Sequence, residues 1–300
     1  MKNEWYTKIT YPALRRGLHN LAQTLMTQTR ISFSGVEKKE PVKPAAAKPK
    51  FSNPYRYTRK TRGLFDPKSK QTFRLSRSRI DKFLNCPRCF YLEMRLGIPQ
   101  PSGYPFTLNS AVDVLLKKEF DIHRTKKTAH PLMSAYGLDA VPFQHPKLND
   151  WRENFTGVQH LHKPTNFLIT GAIDDVWVTP KQELLVVDYK ATAKDGEVNL
   201  DADWQDGYKR QMEVYQWLLR KNEFSVSDTG YFVYANGQKD RKAFDGKLEF
   251  EVIILPYTGN DRWVEDTLKQ ARLTLEKNSI PKFHPDCEYC AYRRTAAEVE

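Results

Sequence analysis

Two carboxylates and one amine in the middle of the chain have the residue types and spacing of a catalytic metal site. Asp174 comes first, Asp188 follows after an apolar stretch, and Lys190 lies two residues after Asp188. Two carboxylates suit a hard cation such as Mg²⁺. A neighbouring ammonium group can orient a metal-bound water and stabilise charge on a phosphate. Together these groups could hydrolyse a phosphodiester bond.

A predicted β-hairpin would position these three side chains. Apolar runs predict strands at Phe167–Val178 and Glu183–Ala191, with a turn between them. Side chains alternate between the two faces of a strand, so Asp188 and Lys190 are expected to point to the same side. The alternatives to a metal site are a structural ion-pair cluster and a solvated edge. Charges in apolar strands are costly, however, and buried pairs contribute little stability.

Two predicted helices carry further polar residues among apolar ones. The segment Phe106–Arg124 includes Asp113, and Trp204–Lys221 places Gln211 one helical turn before Tyr215. The predicted inner face of the first helix consists of Leu108, Val112, Leu115, Leu116 and Phe120. The alternatives are that Asp113 is an ordinary solvated residue and that the amide is simply tolerated in a core helix.

The four cysteines form two Cys-x-x-Cys pairs, Cys86 with Cys89 and Cys287 with Cys290. Two pairs with no spare cysteine indicate a metal site, although free or buried thiols are an alternative. Four thiolates suit structural zinc or a [4Fe–4S] cluster. Because the pairs are far apart in sequence, a shared metal would fasten the two ends of the domain together and contribute to folding.

The net charge of +12 is confined to the beginning of the chain. Residues 1–72 contain sixteen Lys and Arg against four acidic residues, and the remainder is neutral overall. Such an arm suits a polyanion such as DNA, and a solubilising tail is the alternative. Residues 36–50 are rich in Pro, Ala and Lys, as in a linker. We therefore expect a largely disordered basic arm and linker at 1–74 and a folded domain at 75–300.

Other classes of protein are disfavoured by what the sequence lacks. It has no run of about 18 apolar residues and no signal-peptide core, which predicts a cytoplasmic location without membrane contact. It also has no phosphate-binding loop of the Gly-x-x-x-x-Gly-Lys-Ser/Thr type. Any unwinding of DNA would therefore depend on a partner protein.

Three motifs together resemble the PD-(D/E)xK nuclease superfamily, and within it the RecB-type nucleases, including CRISPR-associated exonucleases. The matching residues are Gly171-x-Ile173-Asp174 with Val186-Val187-Asp188-x-Lys190, Ser76-x-Ser78 with Cys86-Pro87-x-x-Phe90-Tyr91, and Gln211-x-x-x-Tyr215. Two features depart from the family pattern. Asp113 stands where the family has a histidine of the metal site, and the cysteines are distributed two and two rather than one and three.

The resemblance implies an α/β fold with a restriction-endonuclease-like core, in which a central mixed β-sheet is flanked by helices and a cysteine-bound metal joins the two ends. It implies an Mg²⁺- or Mn²⁺-dependent deoxyribonuclease, expected to be an exonuclease of DNA repair, recombination or CRISPR-like processing. Its expected partners are single-stranded DNA or duplex ends and a helicase, recombination or CRISPR protein.

The resemblance also implies a role for each residue of the site. Asp174, Asp188 and Lys190 would be catalytic, and Gln211 and Tyr215 would bind substrate. The ligands of Mg²⁺ or Mn²⁺ would be Asp113, Asp174, Asp188 and the backbone carbonyl of Tyr189. The ligands of a [4Fe–4S] cluster, or alternatively of structural Zn²⁺, would be Cys86, Cys89, Cys287 and Cys290. Two other functions stay open: a catalytically inactive nuclease fold that binds nucleic acid or acts as a scaffold, and a structural zinc protein that binds through the basic arm alone.

Overall fold

The computed structural model describes residues 58–103 and 105–300. The predicted linker and the arm up to residue 57 lie outside these residues, so their disorder and DNA binding stay predictions. The rest of the predicted arm is packed against the domain. The backbone amide of Phe65 donates to the carbonyl of Met94 (2.8 Å), and the Phe65 ring is buried in the core. Packed structure therefore begins before Leu75, where we expected the domain to start.

The described residues form eight strands arranged in two sheets. The strands are β1 (Phe73–Ser76), β2 (Val141–Pro142), β3 (Val158–His162), β4 (Phe167–Gly171), β5 (Asp175–Val178), β6 (Leu184–Thr192), β7 (Thr229–Gly237) and β8 (Phe250–Thr258). One sheet has the order β1-β4-β3 and the other the order β2-β5-β6-β7-β8. Both sheets are mixed, because β1 pairs with β4 and β6 with β7 in parallel, while the other pairs are antiparallel.

Helices cover both faces of the five-stranded sheet. The helices are α1 (Arg77–Asn85), α2 (Pro87–Leu96), α3 (Thr107–Lys126), α4 (Pro131–Ala135), α5 (Leu148–Arg152), α6 (Asp206–Lys221), α7 (Trp263–Glu276) and α8 (Glu288–Ala297). On β6, Val186 packs in the core shared with α1, α2, α6 and α7, whereas Val187 and Tyr189 pack against α3 and α4. The α/β fold with mixed sheets flanked by helices is thus confirmed, although two sheets replace the single sheet that we expected.

The first strand of the predicted hairpin is in fact two strands. We expected one strand over Phe167–Val178, but β4 ends at Gly171 and β5 begins at Asp175 in the other sheet. Gly171 lies where β4 meets α6, and a Cβ atom added there would be 2.7 Å from the Tyr215 ring. The break places Asp174 immediately before β5 rather than within a strand.

The exposed face of α3 also differs from the prediction. Leu116 and Phe120 are buried as expected, but Leu108 and Leu115 are 59% and 62% exposed. Buried Arg124 continues the inward row, because it lies one turn after Phe120 and reaches the five-stranded sheet. Within the part of the chain that the structure describes, no helix is both long enough and apolar enough to cross a membrane.

Candidate active site and cysteine cluster

Three of the charged residues predicted for the metal site and for catalysis lie beside the C-terminal end of β6. Asp113 of α3, Asp174 before β5 and Lys190 of β6 line one cavity of about 430 Å³. The aromatic rings of Phe106 and Tyr208 lie on its wall. Three separate elements of the fold therefore bring these three side chains to a single opening. The fully buried Asp188 is not among the residues that line it.

Asp174 is held by contacts to both of its carboxylate oxygens. Oδ2 accepts a hydrogen bond from the backbone amide of Tyr189 (3.0 Å), and Oδ1 accepts one from Lys117 Nζ (3.1 Å). The N–H and C=O of a strand residue point to the same edge. The carbonyl of Tyr189 therefore faces the edge of β6 at which Asp174 lies, where it was predicted to serve as a ligand.

Asp188 and Lys190 are paired on one face of β6. The Asp188 side chain is fully buried and its Oδ2 accepts a hydrogen bond from Lys190 Nζ. Its Oδ1 accepts from Gln211 Nε2 (2.7 Å), which also donates to the Tyr215 hydroxyl (3.0 Å). The Lys190 ammonium lies 4.5 Å from the centre of the Tyr208 ring. The structure thus places Gln211 and Tyr215 around Asp188, and their binding of substrate stays a prediction.

The charge of Asp174 disfavours ionisation of the neighbouring carboxyl groups of Asp188 and Asp113. Burial raises the pKa of Asp188 to about 6, since the Lys190 ammonium offsets only part of this effect and the charge of Asp174 adds to it. Burial and the charge of Asp174 likewise raise the pKa of Asp113, although Lys117 opposes them. A cation bound among these groups would remove the repulsion.

The raised pKa of Asp188 predicts that metal binding is linked to proton release. Below about pH 6 the Asp188 carboxyl holds a proton that an arriving cation must displace, so metal affinity is expected to rise with pH and level off above about pH 6. Calorimetric titration with Mg²⁺ in buffers of different ionisation enthalpy would count these protons. We expect protons to be released near pH 5 but not near pH 8. The release near pH 5 should persist in Asp113→Asn, because it comes from Asp188. Equal proton release at both pH values would contradict the assignment.

A buried hydrogen-bond network that the sequence did not reveal stabilises the segment that contains Asp174. Asp175 is fully buried and accepts hydrogen bonds from Arg124 (2.5 Å), Arg152 (2.9 Å) and the Tyr189 hydroxyl (2.7 Å). Arg152 also donates to the backbone carbonyl of Asp174 (3.0 Å). The network thus holds the backbone of Asp174 and the side chain of Tyr189 in place. The adjacent pair of aspartates in the sequence was the only available signal for it.

The four cysteines meet at the first turns of two helices. Cys86 and Cys89 lie at the start of α2, and Cys287 and Cys290 occupy the same positions in α8. All four side chains are buried, and their sulfur atoms lie within 4.8 Å of one another. The cluster joins the two ends of the domain, as predicted. The two helix N-termini favour negatively charged thiolates. Burial acts in the opposite direction, because it raises the pKa of Cys290 to about 11 and also raises the pKa of Cys89. A bound cation would favour the thiolates and offset this effect.

The cluster and the acidic site differ in how tightly their ligands are gathered. Over residues 58–103 and 105–300, the cysteines are the only group of three or more His, Cys, Asp or Glu whose ligand atoms lie within 4.8 Å. The carboxylates of Asp113, Asp174 and Asp188 are more widely spaced, and lysine ammonium groups are bound to each of them. Oxygen donors suit Mg²⁺ or Mn²⁺, whereas the four sulfurs suit zinc or an iron–sulfur cluster.

One of three comparisons with known proteins identifies the family of the chain. No curated protein matches the chain. The solved structure described as "Crystal structure of SSO0001" is similar over 42% of this chain, with 22% sequence identity and a TM-score of 0.24. The match spans half of the length of that protein. The model of the PD-(D/E)XK nuclease superfamily matches residues 74–295, which contain both the acidic site and the cysteine cluster, and the chain therefore belongs to this superfamily.

Proposed function

We propose that the protein is a metal-dependent DNA nuclease that hydrolyses phosphodiester bonds at the cavity beside β6. The observation that carries the proposal is the proximity of Asp174, the Tyr189 backbone and the Asp188–Lys190 pair at the C-terminal end of β6, beyond its pairing with β5. Membership of a nuclease superfamily supports the same reaction.

Each residue of the site has a distinct part in the proposed reaction. Asp174, Asp188 and the carbonyl of Tyr189 would hold Mg²⁺ or Mn²⁺, with Asp113 as a further oxygen donor. The bound ion would act as a Lewis acid that lowers the pKa of a water molecule and stabilises charge on the phosphate. Lys190 would orient the attacking water and stabilise the negative charge that develops on the phosphate oxygens.

The buried amide of Gln211 has a positioning role in this proposal. It donates to Asp188, and the hydroxyl of Tyr215 takes the other bond from the same amide nitrogen. These contacts leave Asp188 Oδ1 oriented while Lys190 holds Oδ2. For Gln211 or Tyr215 to contact a substrate phosphate, the hydrogen bonds among Asp188, Gln211 and Tyr215 would have to break.

We further propose that the substrate is DNA with a free end, and that the basic arm binds its phosphate backbone. The charge of the arm supports binding that weakens as salt rises, because neutralised phosphates release counterions. A helicase or another protein of DNA repair, recombination or CRISPR-like processing would supply the separated strands. The biological process is proposed on the resemblance alone.

A single zinc ion is the metal that we propose for the cysteine cluster. The Sγ–Sγ distances are 3.5 Å for Cys89–Cys290, 3.6 Å for Cys89–Cys287 and 3.9 Å for Cys86–Cys290. A tetrahedral zinc ion with Zn–S bonds of about 2.3 Å holds its sulfurs about 3.8 Å apart. A [4Fe–4S] cube places four irons and four sulfides between the thiolates and requires them to be farther apart. The two-and-two distribution of the cysteines also supports zinc.

The second candidate function is a catalytically inactive nuclease fold that binds nucleic acid. Two observations favour it: Asp113 replaces the histidine of the family pattern, and lysine side chains are bound to all three carboxylates. It predicts DNA binding without turnover.

Cleavage of end-labelled DNA by the full-length chain separates these candidates. We expect Mg²⁺- or Mn²⁺-dependent loss of linear DNA that is abolished by a chelator and by Asp174→Asn. A closed circular substrate tests the requirement for an end, and a labelled RNA tests the choice of nucleic acid. Binding without any metal-dependent cleavage, or cleavage that survives Asp174→Asn, would contradict the proposed function.

A further inference from the structure

Lys117 of α3 is an unpredicted cationic residue at the edge of the candidate metal site. Its Nζ atom lies 2.8 Å from Asp113 Oδ2 and 3.1 Å from Asp174 Oδ1. Lys117 follows Asp113 by one helical turn, so both side chains are on the same face of the helix. Its ammonium group therefore lies between two predicted metal ligands that come from different elements of the fold.

The contact with Asp174 distinguishes Lys117 from an ordinary helical ion pair. A pair of residues one turn apart on an exposed helix contributes little, and such pairs are common. Here the same ammonium group also binds a carboxylate that precedes β5, and its side chain is only 20% exposed. Burial alone would lower the pKa of Lys117, but Asp174 and Asp113 raise it overall. The site thus contains its own monovalent cation.

The charge of the site changes if this cation leaves. Asp113, Asp174 and Asp188 carry three negative charges when they are ionised, and Lys117 and Lys190 carry two positive charges. The site then retains a single net negative charge, which is a weak attractor for a divalent ion. Without Lys117 the net charge is two negative, which a divalent cation balances. The freed oxygen Oδ1 of Asp174 also becomes available as a ligand.

We propose that Lys117 is an internal competitor for the catalytic metal. In the metal-free protein its ammonium group bridges Asp113 and Asp174, and a divalent cation binds by displacing it from Asp174. This inference rests on the proposed function, since it concerns the same metal site. When metal is scarce, the single positive charge of Lys117 balances one of the two negative charges on Asp113 and Asp174. The exchange also raises the metal concentration at which the site fills.

Binding of Mn²⁺ to the full-length protein, measured by electron paramagnetic resonance of the free ion, tests the exchange without relying on activity. Lys117→Met and Lys117→Gln are expected to bind Mn²⁺ about tenfold more tightly than wild type, because the competing charge is gone. Lys117→Arg retains a cation and is expected to stay near wild type. Lys118→Met removes a charge from the exposed neighbouring position and serves as the matched control.

Thermal unfolding provides a second readout for the same variants. Without added Mn²⁺, Lys117→Met and Lys117→Gln are expected to have lower melting temperatures than wild type, since Asp113 and Asp174 then repel each other. Saturating Mn²⁺ should raise their melting temperatures by more than it raises that of wild type. The smaller change to glutamine keeps the test usable if the methionine variant does not fold.

The possible outcomes separate this inference from the proposed function. Mn²⁺ binding by wild type but not by Asp174→Asn would support the metal site. If Lys117→Met and Lys117→Gln then bind Mn²⁺ no more tightly than wild type, the proposed exchange is wrong although the metal site is retained. Weaker binding in these variants would also overturn it, because Lys117 would then support the metal. If wild type itself binds no Mn²⁺ in the cavity, the proposed function fails as well.

Discussion

Replacing Lys190 with methionine is expected to lower the rate of metal-dependent DNA cleavage by about a hundredfold to a thousandfold, while Mn²⁺ binding persists. The Lys190 ammonium pairs with Asp188 at the cavity, so it is in place to stabilise charge on a bound phosphate. Methionine keeps much of the apolar length of the side chain beside the Tyr208 ring, and it removes the charge together with the hydrogen bond to Asp188. Single-turnover cleavage of end-labelled DNA would measure the loss.

The conditions of this experiment matter because Lys190 also affects its neighbour. Its ammonium lowers the pKa of Asp188, which burial raises, so the variant holds a proton on Asp188 to higher pH. The comparison should therefore be repeated near pH 9, where a loss that came only from protonated Asp188 would shrink. Lys181→Met, at an exposed position in the turn before β6, is the matched control. A Lys190→Met variant that cleaves as fast as this control would contradict the catalytic role.

Replacing Cys89 with serine is expected to lower the free energy of unfolding by at least about 3 kcal/mol, or the melting temperature by about 6 to 12 °C. The change removes one of four sulfurs that connect α2 to α8, and with it the bound metal that fastens these helices together. Thermal unfolding followed by circular dichroism, with metal analysis of the same samples, would test this. Tyr289→Phe in α8, where the side chain is half exposed, is the control.

The same samples also distinguish a single zinc ion from a [4Fe–4S] cluster. One zinc ion per chain in colourless protein purified without oxygen is the expected result. A brown protein with four irons would instead support the [4Fe–4S] cluster that the resemblance implies. If Cys89→Ser has the same melting temperature as wild type, the four cysteines do not hold a structural metal.

Local patterns in the sequence were sufficient for some features of the site. Alternation along a strand depends only on backbone geometry, so it predicted that Asp188 and Lys190 share a face of β6. The pairing of Cys-x-x-Cys motifs predicted the cluster, because the count of cysteines left no other partner. One helical turn between Gln211 and Tyr215 likewise predicted that they lie together on α6.

Features that depend on packing between distant elements could not be predicted in this way. Apolar composition did not reveal that the segment around Asp174 passes from one sheet to the other, since both strands are equally apolar. The helical pattern around Asp113 counted Leu115 as buried, because hydrophobicity alone does not define which row of α3 faces the sheet. The contact of Lys117 with Asp174 depends on how α3 lies over β5 and β6. No spacing in the sequence encodes it.

The central claim is that Asp174, Asp188 and the Tyr189 carbonyl converge on one cation, and anomalous diffraction from crystals grown with Mn²⁺ tests it most directly. We expect an anomalous peak in the cavity beside β6, within bonding distance of both carboxylates and of the carbonyl, with Lys117 moved away from Asp174. Bound Mn²⁺ elsewhere, with an empty cavity and the lysine contacts unchanged, would contradict the account.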